Sequence, residues 1–236
     1  MALHLTGCQT TQQYQKYTYT KHQIVSKSIV PDSAILRIVQ PYKIKIESEL
    51  NIVIGSITNE LKKELPDNTL GYLVAESIMH HTSRRNIACD FAIVNTGTLR
   101  IPNISFGPIT KKTIFELLPF DNRIVTLQLT DSLVTLLLNH AANAGGWAVG
   151  GASYGIDTVN SIATNIKING KNLEKNKIYT LAVSDYLAQG GDQLNFLKVL
   201  PSKDSGGLVR DAIIEYITMK SPITITKNQR VYYDTK

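Results

Sequence analysis

The sequence has few of the features that define several large classes of protein. Its 236 residues include two cysteines, and no apolar run is long enough to cross a bilayer as a helix. Cys89 stands beside an apolar run and is typical of a small buried hydrophobic residue, whereas Cys8 has polar neighbours. We therefore expect neither a transmembrane helix nor a structural disulfide. The apolar content of 43% is that of a folded soluble protein.

Dense runs of basic residues are also missing. The formal net charge is +6, but the pairs Lys62-Lys63, Arg84-Arg85 and Lys111-Lys112 are isolated from one another. A nucleic-acid-binding surface needs closer clustering, so no nucleic-acid partner is predicted. Two explanations of the charge remain open: a phosphate-bearing or other anionic partner, and a mildly basic solvated surface.

The histidines do not form a metal-binding pattern. None of the five belongs to a His-x-His or Asp-x-His pair. His80 and His81 are adjacent on a predicted helix, where their side chains point about 100° apart and are poor joint ligands for one metal. Hydrolysis by two metal ions needs several carboxylates and histidines around the cations. The sequence therefore predicts no catalytic residue and no metal ligand in this chain, and nothing marks the nucleophile turn of a Ser-His-Asp triad.

The first 30 residues differ from the rest of the chain. Leu5-Thr6-Gly7-Cys8 is similar to the end of a bacterial lipoprotein signal, in which the cysteine receives the lipid. The basic and apolar segments of a full signal do not precede it, so the motif is either a trimmed remnant or a chance match. The polar tract of residues 9–27 is typical of a tether. We predict a tether over residues 1–30 with Cys8 as the lipidation candidate, and a folded domain over residues 31–236.

Within that domain, helical and strand patterns alternate irregularly. A helix is predicted from Asp32, with a kink or break at Pro41. Further helices are predicted over residues 70–79, from Thr110 to Pro119, from Thr130 to Gly145, and from Asp204. Strands are predicted over residues 23–30, 52–57, 91–94, 125–129, 148–154, 162–168, 179–183, 223–225 and 231–233, with a hairpin turn at Asn169-Gly170. This order favours the α+β class over a regularly alternating α/β sheet.

Two separated segments carry the most specific pattern in the chain. Together they hold two aromatic rings, an arginine, an asparagine and a carboxylate, which are groups suited to binding a planar nitrogenous base. The first segment is Asn95-Thr96-Gly97-Thr98-Leu99-Arg100 followed by Leu118-Pro119-Phe120-Asp121-Asn122, and the second is Asp185-Tyr186-Leu187-Ala188-Gln189-Gly190-Gly191-Asp192. Both rings follow the end of a helix or strand, and such loop positions are where binding groups concentrate.

Each of these residues also has a structural explanation. A lone aromatic ring most often fills a core, although the glycines after Tyr186 favour a ligand because they let the backbone approach one. Asp192 is equally suited to capping a turn, Arg100 to a surface ion pair, and Asn95 to a side-chain turn. The residues alone leave these alternatives open.

The order of these motifs resembles the C-terminal domain of the 5′-nucleotidase/UDP-sugar hydrolase family, from about Pro31 to the end. The segment Leu70-Gly71-Tyr72-Leu73-Val74-Ala75 extends the resemblance. In that family a two-metal centre in the N-terminal domain cleaves phosphate esters, and the C-terminal domain holds the nucleoside. The resemblance implies a layered α/β/β/α fold, no cofactor in this chain, and divalent metals in a separate metallophosphatase chain.

The resemblance also implies roles for individual residues. Phe120 and Tyr186 would clamp the base, Asn95 would sit at the base, and Asp192 would contact the ribose hydroxyls. The other residues implied to hold the substrate or line the pocket are Arg100, Asn122 and Gly151.

Two stretches depart from the family pattern. Residues 64–68 are acidic where the family often carries an arginine, and Thr96 and Thr98 replace glycines of the turn after Asn95. These departures point to weakened nucleotide affinity or to a different substrate.

The preferred hypothesis is a free-standing substrate-recognition half of a split 5′-nucleotidase-like hydrolase, inactive alone. The alternative is a non-catalytic nucleoside-binding lipoprotein of the cell envelope. Both place the protein in the periplasm or at the bacterial surface, anchored through Cys8.

Overall fold

The computed structural model describes residues 32–234. The expected strand over residues 23–30, the tether and Cys8 lie outside these residues. The strands, in chain order, are β1 Val53–Ile57, β2 Leu61–Lys62, β3 Phe91–Val94, β4 Asn103–Ile104, β5 Gly107–Thr110, β6 Arg123–Thr130, β7 Ala148–Gly150, β8 Ala152–Asp157, β9 Ile162–Ile168, β10 Lys171–Asn172, β11 Ile178–Ser184, β12 Ser202–Leu208 and β13 Val231–Tyr233. The helices are α1 Ser33–Leu50, α2 Thr69–Arg84, α3 Lys111–Leu117, α4 Asp131–Asn143, α5 Asp185–Ala188, α6 Asn195–Lys198 and α7 Val209–Lys220.

The described residues fall into two units, one that ends at Lys43 and one that begins at Ile44. The described part of the first unit is the beginning of α1. Its amino end is capped by Asp32, whose carboxylate accepts from the backbone N–H groups of Ala34 at 2.7 Å and Ile35 at 3.2 Å. The helix is continuous through Pro41, so the division predicted as one alternative there is wrong, and a kink stays a prediction.

A five-stranded mixed sheet forms the centre of the second unit, in the order β12-β6-β11-β3-β7. β3 and β11 run parallel, with Leu181 opposite Phe91, and the other neighbours are antiparallel. All four residues of β3 are buried, as are six of the seven in β11. Continuous apolar runs of this kind suit strands that are covered on both faces.

The strand directions bring three connecting segments to one edge of this sheet. Because β3 and β11 are parallel neighbours, their carboxyl ends lie side by side. β6 runs the opposite way, with Ile124 opposite Ser184, so its amino end lies at the same edge. The segments that begin at Asn95 and Asp185 and the segment that ends at Asn122 therefore meet there.

A second, four-stranded sheet has the order β10-β9-β8-β13. Its β9–β10 hairpin turns at Asn169 and Gly170, with φ angles of 49° and 75°, which confirms the predicted turn. α2 and α7 pack together, and α2 contacts β3, β7 and β11. α4 contacts β6 and β11 of the large sheet and β8 and β9 of the second sheet. The predicted α/β/β/α layering did not specify a helix in contact with both sheets. The α+β class is confirmed.

Two helices start where their capping residues predict. Thr110 caps α3 by accepting from the N–H of Thr113, and Thr130 caps α4 by accepting from the N–H of Leu133. α4 buries Val134, Leu137 and Leu138, whereas Leu136 is exposed.

The prediction that Asp204 opens the last helix is wrong. Asp204 lies in β12, opposite Val125 of β6. Its carboxylate accepts from Arg123 Nε and from the N–H of Gly206. α7 begins only at Val209, because residues 202–208 pair with β6 and so continue the sheet.

Cys89 is half-buried, and burial raises the pKa of its thiol to about 11. The thiol is therefore protonated at neutral pH, in agreement with the interpretation of Cys89 as a small apolar residue. No helix within residues 32–234 is both long and apolar enough to cross a membrane.

Candidate ligand-binding cleft

The three segments at the edge of the large sheet enclose a cleft of about 320 Å³. This is at the small end of the range for ligand pockets in proteins. Its lining brings together six of the seven residues predicted to bind substrate and adds two more. The lining residues are Asn95, Gly97, Thr98, Arg100, Phe120, Asn122, Tyr186 and Asp192.

The two aromatic rings of the cleft are open to solvent. Phe120 is 40% exposed and Tyr186 is 46% exposed. A ring that fills a core is almost fully buried, as Phe91 and Tyr154 are here. The explanation of Phe120 and Tyr186 as core residues is therefore excluded, and both present aromatic surface to the same cleft.

The loop that carries Phe120 is fixed from two sides. The carbonyl of Asn122 accepts from the N–H of Val209 at 2.9 Å, and the carboxylate of Asp121 accepts from Arg210 Nη2 at 2.6 Å. Arg210 is itself buried against the ring of Phe115, with its guanidinium carbon 4.1 Å from the ring centroid. These contacts hold Phe120 at the rim of the cleft although it lies outside any helix or strand.

Tyr186 packs against the glycine turn that follows it. A Cβ atom on Gly191 would lie 2.6 Å from Cε1 and Cζ of Tyr186, so only glycine fits at this position without displacing the ring. Gly190 has a φ of 92°, in the left-handed region that glycine adopts readily. The turn brings Asp192 back over the ring edge, and the Tyr186 hydroxyl donates to Asp192 Oδ1 at 2.7 Å.

Asn95 connects the first segment to Asp192. It is 3% exposed, and its Nδ2 donates to Asp192 Oδ2 at 2.7 Å. Its Oδ1 accepts from the hydroxyl of Thr98. The amide caps no backbone group of the turn that follows, so the alternative of a simple side-chain turn does not describe Asn95. The carboxylate of Asp192 accepts from the side chains of Asn95 and Tyr186. These contacts differ from the alternative in which Asp192 caps a turn.

The electrostatics of the cleft combine one carboxylate with one cation. The hydrogen bond to Asp192 raises the pKa of Tyr186 above its ordinary value, so the phenol remains a proton donor at neutral pH. The guanidinium of Arg100 lies over the ring of Phe120. The partner of Arg100 is therefore the exposed ring of Phe120, and this differs from the surface ion pair considered as an alternative.

Gly151 does not line this cleft. It follows β7, which is antiparallel to β3 with Gly150 opposite Ala92, so Gly151 lies beside the amino end of β3. The cleft is at the carboxyl end, about 13 Å away for a four-residue strand. Gly151 has a φ of 69°, and a Cβ there would lie 2.6 Å from the carbonyl oxygen of Asp90. Its requirement for glycine therefore comes from its left-handed φ and from the close approach of the backbone at the amino end of β3.

Thr98 is the polar lining residue that sequence reasoning missed as a site residue. The signal for it was present, because Thr98 stands where the family pattern has glycine. The other departure, residues 64–68, makes contacts outside the cleft: Glu64 pairs with Lys227 at 2.9 Å, Asp67 accepts from the Tyr72 hydroxyl at 2.6 Å, and Asn68 caps α2.

Within residues 32–234, no three or more His, Cys, Asp or Glu side chains form a group that could hold a metal ion. His80 and His140 make edge contacts with the rings of Tyr216 and Trp147, each at 5.3 Å between centroids. His81 is buried, and its Nε2 lies 3.0 Å from the Ser205 hydroxyl. These three histidines have structural partners, and the other two lie outside the described residues.

Comparison with known proteins identifies the family. Residues 53–199, more than half of the chain, match the family model described as "5′-nucleotidase, C-terminal domain". The chain belongs to this family, and the resemblance seen in the sequence is confirmed.

Relatives and solved structures agree with this assignment. The 5′-nucleotidase of Vibrio vulnificus is 28% identical over 213 residues, which cover 86% of this chain and 37% of that protein. Protein UshA of Yersinia enterocolitica is 25% identical over 209 residues, covering 86% and 38%. The solved 5′-nucleotidase precursor of Thermus thermophilus superposes with a TM-score of 0.73 at 22% identity, covering 86% of this chain and 43% of that one. The chain thus spans about 38% of the length of the curated relatives it matches.

Proposed function

We propose that the cleft binds the nucleoside part of a nucleotide, and that the chain serves as the substrate-recognition half of a 5′-nucleotidase-like phosphoester hydrolase. The observation that carries this proposal is the meeting of two exposed aromatic rings with a fixed carboxylate at one sheet edge. A base stacked on an aromatic ring gains about 1–3 kcal/mol per ring. The rings of Phe120 and Tyr186 supply this surface, and Asp192 supplies acceptors for the ribose hydroxyls.

Catalysis in this proposal belongs to a metallophosphatase on a separate polypeptide. The side chains of residues 32–234 offer binding groups but no grouped metal ligands. This chain would bind and orient the nucleoside, with Arg100 as the cation nearest the bound phosphate. The partner would supply divalent metals, which activate water and stabilise the charge that develops on the phosphoryl group. Divalent metals are therefore expected in the partner and not in this chain.

An envelope location is part of the same proposal. It rests on Leu5-Thr6-Gly7-Cys8, with residues 1–30 as a tether, Cys8 as the lipidated residue and residues 31–236 as the binding domain. Metabolic labelling of the expressed protein with a fatty-acid analogue tests this point, and no label on Cys8 would remove the anchor from the proposal.

Calorimetry with adenosine and AMP tests the binding function directly. The wild-type protein should bind both ligands, and Phe120→Ala should weaken binding about tenfold or more, through loss of one stacking partner. Phe106→Ala is the matched control, because Phe106 is 76% exposed and lies outside the cleft lining. If the wild-type protein binds neither ligand, the proposal is wrong.

A phosphatase assay separates this function from the alternative of a non-catalytic nucleoside-binding lipoprotein. The chain alone should show negligible turnover of AMP with divalent metal. Turnover should appear, or should rise above that of the partner alone, when a metallophosphatase encoded next to it is added. Binding without any effect on a partner's turnover would favour the non-catalytic alternative.

A further inference from the structure

We infer that Thr98 and the hydroxyl of Tyr186 are positioning groups that fix the carboxylate of Asp192 from opposite ends of one hydrogen-bond chain. This inference rests on the proposed function, because it assigns how the same cleft orients its acceptor toward the ligand. This series of hydrogen bonds runs from the Thr98 hydroxyl through the Asn95 amide and the Asp192 carboxylate to the Tyr186 hydroxyl.

The direction of each hydrogen bond follows from the chemistry of the groups. A carboxylate only accepts, so Asn95 must turn its Nδ2 toward Asp192, 2.7 Å away. The amide oxygen of Asn95 then faces the Thr98 hydroxyl, which must donate. Thr98 thereby selects one of the two orientations of the Asn95 amide. A glycine at position 98 has no side chain to do this.

Tyr186 holds the other end of the chain with both functions of its hydroxyl. It donates to Asp192 Oδ1 at 2.7 Å and accepts from the backbone N–H of Asp192 at 3.3 Å. Asp192 has a φ of 49° and Gln193 a φ of 66°, a left-handed conformation that is unfavourable for residues other than glycine. The two bonds to Tyr186 therefore hold a strained backbone in place together with its carboxylate.

The consequence is a carboxylate whose orientation is set before a ligand arrives. Each oxygen of Asp192 has one protein donor and a second lone pair available. A fixed pair of acceptors favours a ligand that presents two neighbouring hydroxyl donors over one that lacks them, because less ordering remains to occur on binding. Under the proposed function, the ribose hydroxyls are these donors.

The test compares adenosine with 2′,3′-dideoxyadenosine by calorimetry, in the wild type, Thr98→Val, Thr98→Ser and Tyr186→Phe. Thr98→Val keeps the shape and removes the donor, and Tyr186→Phe keeps the ring and removes the hydroxyl. Each should weaken adenosine binding about tenfold, because Tyr186→Phe removes a hydrogen bond to the Asp192 carboxylate and Thr98→Val releases the Asn95 amide that donates to it. The affinity for the dideoxy ligand should change less than about threefold, and Thr98→Ser should restore adenosine binding.

Two control variants test whether the effects are specific to the cleft. Thr135→Val and Tyr233→Phe make the same substitutions outside the cleft lining and should leave both affinities unchanged. An unchanged preference for adenosine in both Thr98→Val and Tyr186→Phe overturns the inference and leaves the proposed function standing. Equal weakening of both ligands also overturns it, because that result shows a general structural role. A wild-type protein that binds neither ligand overturns the proposed function itself.

Discussion

The guanidinium carbon of Arg100 lies 4.7 Å from the centroid of the Phe120 ring. The two residues are also linked through the backbone, since the N–H of Arg100 donates to the carbonyl of Leu117 at 3.0 Å, at the end of the helix that precedes Phe120. The turn after β3 and the loop before β6 are thus joined by a side-chain and a main-chain contact. Arg100 places positive charge directly beside the aromatic surface of the cleft.

Replacing Arg100 should separate recognition of the phosphate from recognition of the base. Arg100→Met keeps the length of the side chain and removes the charge. We expect about a tenfold loss of affinity for AMP, the size of one charge-assisted hydrogen bond, and less than about threefold for adenosine, which has no phosphate. Calorimetry at two salt concentrations measures both, and the loss for AMP should shrink at high salt because ions screen the wild-type attraction.

Arg84→Met is the control for this change in net charge, because Arg84 is an exposed arginine outside the cleft lining. It should leave both affinities unchanged. An Arg100→Met variant that loses AMP and adenosine equally would show that Arg100 acts only by supporting Phe120.

The glycine beside Tyr186 provides a steric test of the cleft. In Gly191→Ala, the new methyl group would lie 2.6 Å from Cε1, Cζ and the carbonyl oxygen of Tyr186. The ring or the turn must move, which should cost about 1–3 kcal/mol of folding free energy and should weaken adenosine binding at least tenfold. Urea unfolding and calorimetry measure the two effects.

Gly97→Ala is the matched control for stability. The nearest atom to its new methyl group is Asn95 Nδ2 at 3.4 Å, an ordinary contact. Its folding free energy should change by less than about 0.5 kcal/mol. Equal stability of the two alanine variants would contradict the close packing of Gly191 on Tyr186.

Local sequence signals predicted the elements that carry the site. The apolar run of β3 gave its bounds, and Thr110 and Thr130 marked the helix starts because capping depends on neighbours three residues away. The prediction from Asp204 was wrong because a capping pattern considers only nearby residues. Asp204 has the sequence context of a helix cap, but pairing with β6, some 80 residues earlier, places it in a strand.

The hydrogen-bond chain of the cleft could not be read from the sequence in the same way. Asn95 and Asp192 are 97 positions apart and meet only because β3 and β11 are parallel neighbours, a long-range pairing that no local pattern encodes. Gly151, in contrast, was predicted to line the cleft and lies outside it. Family resemblance placed it in the pocket, whereas the antiparallel register of β7 places it beside the amino end of β3.

The hydrogen bond between Tyr186 and Asp192 should be visible in the titration of the phenol. Because the bond stabilises the protonated form, the pKa of Tyr186 lies above its ordinary value. Its contribution to stability is therefore fully present below the pKa of an unfolded tyrosine and is lost as the pH rises through the raised pKa. NMR of protein labelled with 13C at the tyrosine Cζ measures the value, with Tyr186→Phe to assign the signal.

Asp192→Asn should lower the pKa of Tyr186 toward its ordinary value, because it removes the carboxylate that holds the phenolic proton. This measurement needs no ligand, so it examines the hydrogen bond independently of any nucleoside binding. A Tyr186 pKa that is identical in the wild type and Asp192→Asn would contradict the bond.

The stability of the fold should depend on pH through His81 of α2, which lies outside the cleft lining. His81 is 2% exposed, and Gly207 packs so closely that a Cβ there would lie 2.1 Å from the imidazole Cε1. The Ser205 hydroxyl donates to the carbonyl of Ile124 at 2.8 Å, so the imidazole Nε2–H donates to Ser205. Burial, reinforced by the charge of Arg85, lowers the pKa of His81.

A lowered pKa fixes the sign of the effect. Between the folded-state pKa and the ordinary histidine value of about 6.5, the unfolded chain binds more protons than the folded chain, so stability rises with pH. We expect the free energy of unfolding of the wild type, measured in urea, to fall as the pH is lowered from 7.5 to 5. Carboxylates such as Asp204, whose pKa is lowered by its hydrogen bond to Arg123, contribute at lower pH than this.

His81→Gln isolates the contribution of this imidazole, because the glutamine amide keeps a donor for Ser205 and does not titrate. At pH 7.5 the variant should lose about 1–2 kcal/mol, since the smaller side chain packs less well against Gly207. Its stability should fall less than that of the wild type between pH 7.5 and 5, while His80, whose pKa burial also lowers, accounts for part of the slope that remains. If the two proteins lose stability in parallel over this range, His81 is protonated equally in the folded and unfolded states, and its burial does not make the fold less stable at acidic pH.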